Sequence, residues 1–317
     1  MGSGSDAERA PELRVLTGPT ASGKSRLGVG LAERHGLEIL SADSMSVYRH
    51  MDIGTAKPGP EQRARLPHHG LDLVDPWEDF DSARYVSVAD RVIEDARRRG
   101  RQILVVGGTP LYLMALLRGF FAGPSADPEI RERLLALEQA QKGSLHAELC
   151  RVDPEAAGRI HPNDQKRLVR ALEVFELSGQ PISSLQQQFD RGPSRYRFRA
   201  ARIQLPRQEL RARVRCRCRN MFERGLVDEV RRIDELGGFS RSAGAAIGYA
   251  EVREFLAGSL RSDELEHSVR RHTHRPVASN SSMRTGSCAG RRPGSAACPS
   301  LSRSGSRAWT RTSVSIS

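Results

Sequence analysis

Leu13-Arg14-Val15-Leu16-Thr17-Gly18-Pro19-Thr20-Ala21-Ser22-Gly23-Lys24-Ser25 is the stretch on which the fold turns. Its first five residues are a short apolar run of the kind that forms a buried strand. Gly18 to Ser25 fits G-x-x-x-x-G-K-[ST], and a helix is expected from Lys24 to about His35, where Gly36 stops it. Strand, glycine-rich turn and helix in this order make a phosphate cradle. Backbone N–H groups in the turn point inward, and the helix N-terminus adds the positive end of its dipole. Lys24 is expected to meet the terminal phosphate oxygens and the Ser25 hydroxyl to hold Mg²⁺. Gly18, Pro19, Thr20, Ala21, Ser22, Gly23, Lys24 and Ser25 are therefore candidates to bind a di- or triphosphate.

Outward from the cradle, Leu37 to Leu40 forms a second expected strand, ending at Ser41-Ala42-Asp43-Ser44. Leu71 to Val74 is a third short apolar run. Ser82 is expected to cap a helix through Arg99, and Ile103 to Val106 is an apolar strand ending at Gly107-Gly108-Thr109. Strands alternating with helices predict a parallel α/β sheet. From Asp127 to about Gln188 the pattern changes to helices alone, opened by Asp127-Pro128-Glu129 with proline and acid in the first turn. Arg195 to Leu205 reads as a last strand, followed by two or three helices to about Arg275. The expected fold is α/β: a P-loop NTPase-like parallel sheet core, residues 13–125 and 196–275, with an all-helical insertion at 126–195. Residues 1–12 are expected to be disordered. So is the Ser/Arg/Gly/Ala-rich stretch 276–317, unless a shifted reading frame produced it.

The 317 residues carry a formal net charge of +12, which favours a polyanionic partner. Residues 276–317 hold six arginines and no acid, so half of that excess lies in the tail. No apolar run of membrane-spanning length occurs, and Met1 to Arg14 lacks the apolar stretch of a signal peptide, so a cytoplasmic location is expected. Five cysteines without zinc-site spacing read as incidental reduced thiols.

A phosphate cradle does not say whether the phosphate is transferred, hydrolysed or expelled. Ile103–Val106 ends in Gly-Gly-Thr rather than in the metal-holding acid of an NTPase. Asp43 instead stands at the end of the second strand, near the cradle in a doubly wound sheet. A carboxylate there can accept a proton from a nucleophile poised over a leaving pyrophosphate; the alternative is that it caps the next turn.

Taken together, these stretches resemble the tRNA dimethylallyltransferases (tRNA isopentenyltransferases). The resemblance is carried by Gly18 to Ser25, Ser41-Ala-Asp-Ser44 with Val47-Tyr48, Met51-Asp-Ile-Gly-Thr-Ala-Lys-Pro58, and Val106-Gly-Gly-Thr109 with Leu111-Tyr112. Ser125-Ala-Asp-Pro128, Arg159-Ile-His-Pro-Asn-Asp164, Arg170-Ala-Leu-Glu-Val174 and Ile247-Gly-Tyr249 follow in family order, covering roughly residues 13–275. The resemblance implies transfer of a dimethylallyl group from dimethylallyl pyrophosphate to the adenosine 3′ of a tRNA anticodon, with Mg²⁺. It implies that Asp43 takes a proton from the amine while Lys24, Ser25 and Thr109 stabilise the departing pyrophosphate. It also implies tRNA contacts at Asp43, Ser44, Met45, Ser46, Thr109, Arg131, Lys166, Arg167, Arg170, Gly248 and Tyr249. The rings of Tyr112 and Tyr249 read equally as base-stacking platforms or as buried packing. A monomer is expected.

Two other readings share these features. A small-molecule or nucleoside kinase has the same loop and an acid after strand two, and would consume ATP. A related chain that binds tRNA without performing the chemistry would show the same basic character.

Overall fold

The computed structural model describes residues 12–119, 123–191, 194–279 and 314–316, of which 187–191, 274–279 and 314–316 are described as backbone only. The expectations for residues 1–11, and for 276–317 apart from 276–279 and 314–316, lie outside the described residues.

The chain divides into two compact units, residues 1–113 with 196–317, and residues 114–195. In the first, β1 (Glu12–Thr17), α1 (Lys24–His35), β2 (Leu37–Ala42), α2 (Pro60–Arg65), β3 (His68–His69), α3 (Ser82–Arg98) and β4 (Gln102–Gly107) are followed by α4 (Pro110–Arg118), whose second half passes into the other unit. That unit continues with α5 (Pro128–Ala140), α6 (Ser144–Val152), α7 (Pro154–Arg159), α8 (Gln165–Ser178) and α9 (Ile182–Arg191). The chain then supplies β5 (Arg197–Ile203), α10 (Arg207–Glu223), α11 (Leu226–Leu236), α12 (Arg241–Gly244), α13 (Tyr249–Leu256), α14 (Ser262–Ser279) and β6 (Val314–Ile316) to the first unit.

The sheet order is β3-β2-β4-β1-β5-β6, parallel throughout except for the β5–β6 pair. β4 reads as a near-continuous apolar run because it is an interior strand covered on two faces, whereas in β1 Glu12 and Arg14 are exposed and Leu13, Val15 and Leu16 are buried. Side chains of both strands, with Ile39, Leu37 and Ala32, form the core beneath α1. β5 pairs with β1 from Glu12↔Arg197 to Thr17↔Arg202, although the two are far apart in sequence.

Most expected elements stand where the sequence placed them; the departures have local causes. α3 is capped by Asp81 rather than Ser82, its side chain accepting from Arg84 N. The apolar run Leu71–Val74 contributes only a bridge between Val74 and Tyr48, and the edge strand is His68–His69. Among the described residues five helices, not two or three, follow β5, because Gly225, Gly237 and the Gly248 turn interrupt the apolar pattern. α14 also runs through Pro276 to Ser279, past the boundary expected at Arg275. The helical unit has its own core of Leu134, Leu145, Leu149, Leu168, Leu172 and neighbours, which is what lets it stand as a compact body.

Candidate active site

Three strand ends build the site. β1 feeds the loop 18–23, β2 ends at Ala42 just before Asp43, and β4 ends at Gly107 just before Gly108-Thr109. The close fit of β4 on β2 admits no side chain at Gly107, where a Cβ would lie 2.2 Å from the Ala42 carbonyl oxygen. A Cβ on Gly108 would lie 3.0 Å from Gly18 O and 3.5 Å from Lys24 Nζ, so the β4 loop closes directly over the cradle. Within the cradle Ala21 holds φ at 63°, a left-handed conformation costly for a residue with a Cβ, and Ser22 N donates to Pro19 O at 3.2 Å. Ser22 Oγ is buried without a partner. Ser25 sits exposed in the first turn of α1.

Lys24 carries the main cation of the cradle. Its ammonium reaches Pro19 O at 3.4 Å. Burial lowers its pKa, the Asp43 carboxylate opposes that effect, and the Arg217 guanidinium adds to it. Asp43 Oδ1 accepts from Met45 N at 3.0 Å, so the carboxylate does cap its turn, by one oxygen. Thr109 ties β4 to β2: its Oγ1 accepts from Ser44 N at 3.0 Å and donates to Ser44 Oγ at 3.3 Å, while its N–H donates to Ala42 O at 3.2 Å.

Two arginines missing from the sequence reading complete the constellation. Arg213 Nη1, on α10, reaches Ser22 O at 3.4 Å. One turn further on, Arg217 donates through Nη2 to Gly54 O and Thr55 O at 3.3 Å each, and its buried Nε has no partner. Burial lowers the Arg217 pKa and the Asp43 carboxylate pulls it back up, which puts this guanidinium within the field of Asp43 and Lys24. Arginine recurs at 211, 213, 215, 217 and 219, a spacing that marks no helix face. Only the burial of Leu210, Val214, Cys218 and Met221 fixes the register of α10 and sets Arg213 and Arg217 apart.

Some expected contact residues turn out to be interior. Tyr249 is 1% exposed, its hydroxyl donating to Glu229 Oε1 at 2.6 Å. Tyr112 is also buried, stacked on Tyr85 with ring centroids 4.1 Å apart. Neither ring offers a face for a base. Ser46 is buried as well, its carbonyl accepting from Asp72 N, whereas Ser44 and Met45 stay partly open. Gly248 forms the turn before α13, its N–H donating to Glu251.

In the helical unit, Arg131 makes a two-pronged pair with Glu173 at 2.7 and 3.0 Å, and Arg170 binds the same carboxylate at 2.6 Å and Pro124 O at 2.9 Å. Glu173 is 0% exposed. Burial alone pushes its pKa up, but the hydrogen bonds from the two arginines win and hold it below the usual range. Lys166 and Arg167 are exposed on the first turn of α8, Arg167 paired with Asp164 at 3.3 Å.

No group of three or more His, Cys, Asp or Glu able to hold a metal occurs among the described residues. The donors at the cradle are hard oxygens, the Ser25 hydroxyl and the Asp43 carboxylate, which suit a cation that takes most of its ligands from phosphate and water. No described helix is long and apolar enough to cross a membrane, and the described cysteines, Cys150, Cys216 and Cys218, are free thiols.

The sequence model of the IPP transferase family matches residues 46–277, and that of isopentenyl transferase matches residues 11–66. A tRNA dimethylallyltransferase of Anaeromyxobacter dehalogenans is 48% identical over 261 residues, covering 82% of this chain and 86% of its own. Another, from Citrifermentans bemidjiense, is 44% identical over 271 residues, covering 85% and 88%. The crystal structure of the full-length tRNA isopentenylpyrophosphate transferase of Bacillus halodurans is similar with a TM-score of 0.60 at 35% identity, covering 86% of this chain and 87% of that one. A eukaryotic dimethylallyltransferase captured acting on tRNA gives a TM-score of 0.67 at 26% identity, covering 85% and 69%. With the cradle, Asp43 and the sheet order in hand, these matches fix the lineage: the chain belongs to the tRNA dimethylallyltransferase family of IPP transferases.

Proposed function

We propose that the chain transfers a dimethylallyl group from dimethylallyl pyrophosphate to N6 of the adenosine 3′ of the anticodon in tRNA and releases pyrophosphate. The observation that carries the reading is the convergence of two partly buried cations, Lys24 in the cradle and Arg217 on α10, around the carboxylate Asp43 where the strand ends meet, each cation lying within the field of that carboxylate. Such a site binds a pyrophosphate and holds one proton acceptor beside it.

In the reaction, the N6 lone pair forms the new C–N bond to the terminal allylic carbon as the C–O bond to pyrophosphate breaks. The electron pair of that bond leaves with pyrophosphate. Asp43, by the oxygen not bonded to Met45 N, takes the proton that N6 must lose. Charge grows on the departing oxygen, where the remaining N–H groups of the loop (Pro19 has none and that of Ser22 is donated to Pro19 O), together with Lys24 and Arg217, stabilise it more than in the ground state. Arg213 closes the same end of the cradle. Thr109 and Ser44 hold the β2 and β4 loops in register so that Asp43 faces the cradle.

Mg²⁺, held by Ser25 Oγ, would supply further charge neutralisation on the pyrophosphate. The acceptor base must leave its stack to expose its amine. The partly open Ser44 and Met45 beside Asp43 suit contact with that base. Lys166 and Arg167, with Arg131 and Arg170, suit the phosphate backbone of the anticodon stem-loop.

The test is transfer of labelled dimethylallyl from its pyrophosphate to an anticodon stem-loop with three adenosines spanning the acceptor position, in wild type and Asp43→Ala, with ATP consumption measured in parallel. Labelled RNA with wild type alone supports the reading. ATP turnover without transfer would favour a kinase. RNA binding with neither reaction would leave an RNA-binding relative.

A further inference from the structure

Two motifs in the sequence, Met51-Asp-Ile-Gly-Thr-Ala-Lys-Pro58 and Ile247-Gly-Tyr249, supply no group to the chemistry above. They meet at Glu229. This carboxylate, on α11, is 4% exposed, and among the described residues it forms no ion pair. It accepts instead from Asp52 N at 3.1 Å, from Ile53 N at 2.8 and 3.1 Å, from Gly54 N at 3.3 Å and from the Tyr249 hydroxyl at 2.6 Å. Three consecutive backbone N–H groups converge on one buried anion, as they would on a bound anion at a helix start. The Tyr249 ring presses on the same loop. A Cβ at Gly54 would lie 2.3 Å from Tyr249 Cε2, so only glycine fits there. The far end of the loop is pinned by buried Lys57, which pairs with Asp52 at 3.0 Å and Asp72 at 2.7 Å.

The N–H groups of this loop face Glu229, and two of its carbonyls, Gly54 O and Thr55 O, are the acceptors of Arg217 Nη2. Held this way, the loop fixes which side of the Arg217 guanidinium is spent on protein, leaving the buried Nε without a protein partner. We infer that Glu229 and Tyr249 are positioning residues for pyrophosphate binding, acting through the 52–55 loop on Arg217. A carboxylate suits this task because it accepts all four donors at once, whereas an amide oxygen has two lone pairs and brings an NH₂ that must face other donors. The inference rests on the pyrophosphate part of the proposed function.

The test is a double-mutant cycle read by calorimetric binding of inorganic pyrophosphate with Mg²⁺, in wild type, Glu229→Gln, Tyr249→Phe, Arg217→Ala and the two doubles with Arg217→Ala. Because the effect runs through Arg217, Glu229→Gln is expected to weaken pyrophosphate binding about tenfold in wild type and less than twofold in the Arg217→Ala background. Tyr249→Phe should follow the same pattern with a smaller loss. Affinity for the anticodon stem-loop should not change. Losses that multiply in the doubles, or folded variants that bind pyrophosphate as wild type does, overturn the inference. Should Glu229→Gln fail to fold, the Tyr249→Phe cycle decides by the same criterion. Dimethylallyl transfer is scored in a separate assay, so loss of the proposed reaction and loss of this clamp are told apart.

Discussion

At the scale of single residues, Asp43 and Lys24 separate chemistry from stability. Asp43 Oδ1 caps its own turn through Met45 N, and asparagine can keep that bond. Asp43→Asn should therefore melt close to wild type while its turnover falls by about 10²–10⁴-fold, the usual worth of a lost general base. Lys24 is charged at the cost of its burial, so its folded pKa lies below the unfolded value of 10.5. Between those two values the unfolded chain binds more protons, and the contribution of Lys24 to stability rises with pH across that window. Lys24→Met is expected to raise the unfolding free energy by about 1 kcal/mol and to remove most pyrophosphate affinity, checked by urea unfolding and calorimetry on one preparation.

At the scale of elements, buried carboxylates join pieces that the sequence lists separately. Glu38 on β2 pairs with Arg99 at the end of α3 at 2.6 and 3.0 Å and with His69 on β3 at 2.8 Å. The Arg99 hydrogen bonds bring its pKa down from 4.5 to about 2, against the opposing effect of burial. A depressed carboxylate contributes stability that is complete above 4.5 and is lost as pH falls toward 2. Denaturation midpoints of wild type should drop more steeply through that range than those of Glu38→Gln. In the helical unit, Glu173 joins α5 to α8 through Arg131 and Arg170. Glu173→Gln leaves two arginines facing a neutral group and should cost about 3 kcal/mol in unfolding. Arg131 and Arg170 were legible as cations, but their shared anchor lies 42 and 3 residues away and was not. Any RNA-binding defect of their variants has to be compared with that of Glu173→Gln.

At the scale of the whole molecule, the charge balance sets how the protein meets a polyanion. Lys166 and Arg167 are exposed, so each phosphate they neutralise releases counterions. Replacing both by glutamine should reduce the slope of log affinity for the stem-loop against log salt by about 0.7–0.9 per lost contact, without changing pyrophosphate binding. An unchanged slope would remove the first turn of α8 from the RNA path.

What the sequence determined by itself was local. The cradle, Asp43 at a strand end, the interior strands and the helical stretch after Asp127 are each written in adjacent residues, because a strand, a turn and a helix start are decided by short-range patterning and backbone geometry. The tertiary structure decided which cations lie beside the cradle and which rings are interior. Arg217 reaches Gly54 and Thr55 only because β5 pairs beside β1 and releases α10 at the cradle end of the sheet. Glu229, Gly54 and Tyr249 likewise become one unit only when α11 and α13 fold over the 52–55 loop. Such partners are chosen by packing between distant segments, and the arginine-rich text of α10 reads the same whichever of its arginines turns inward.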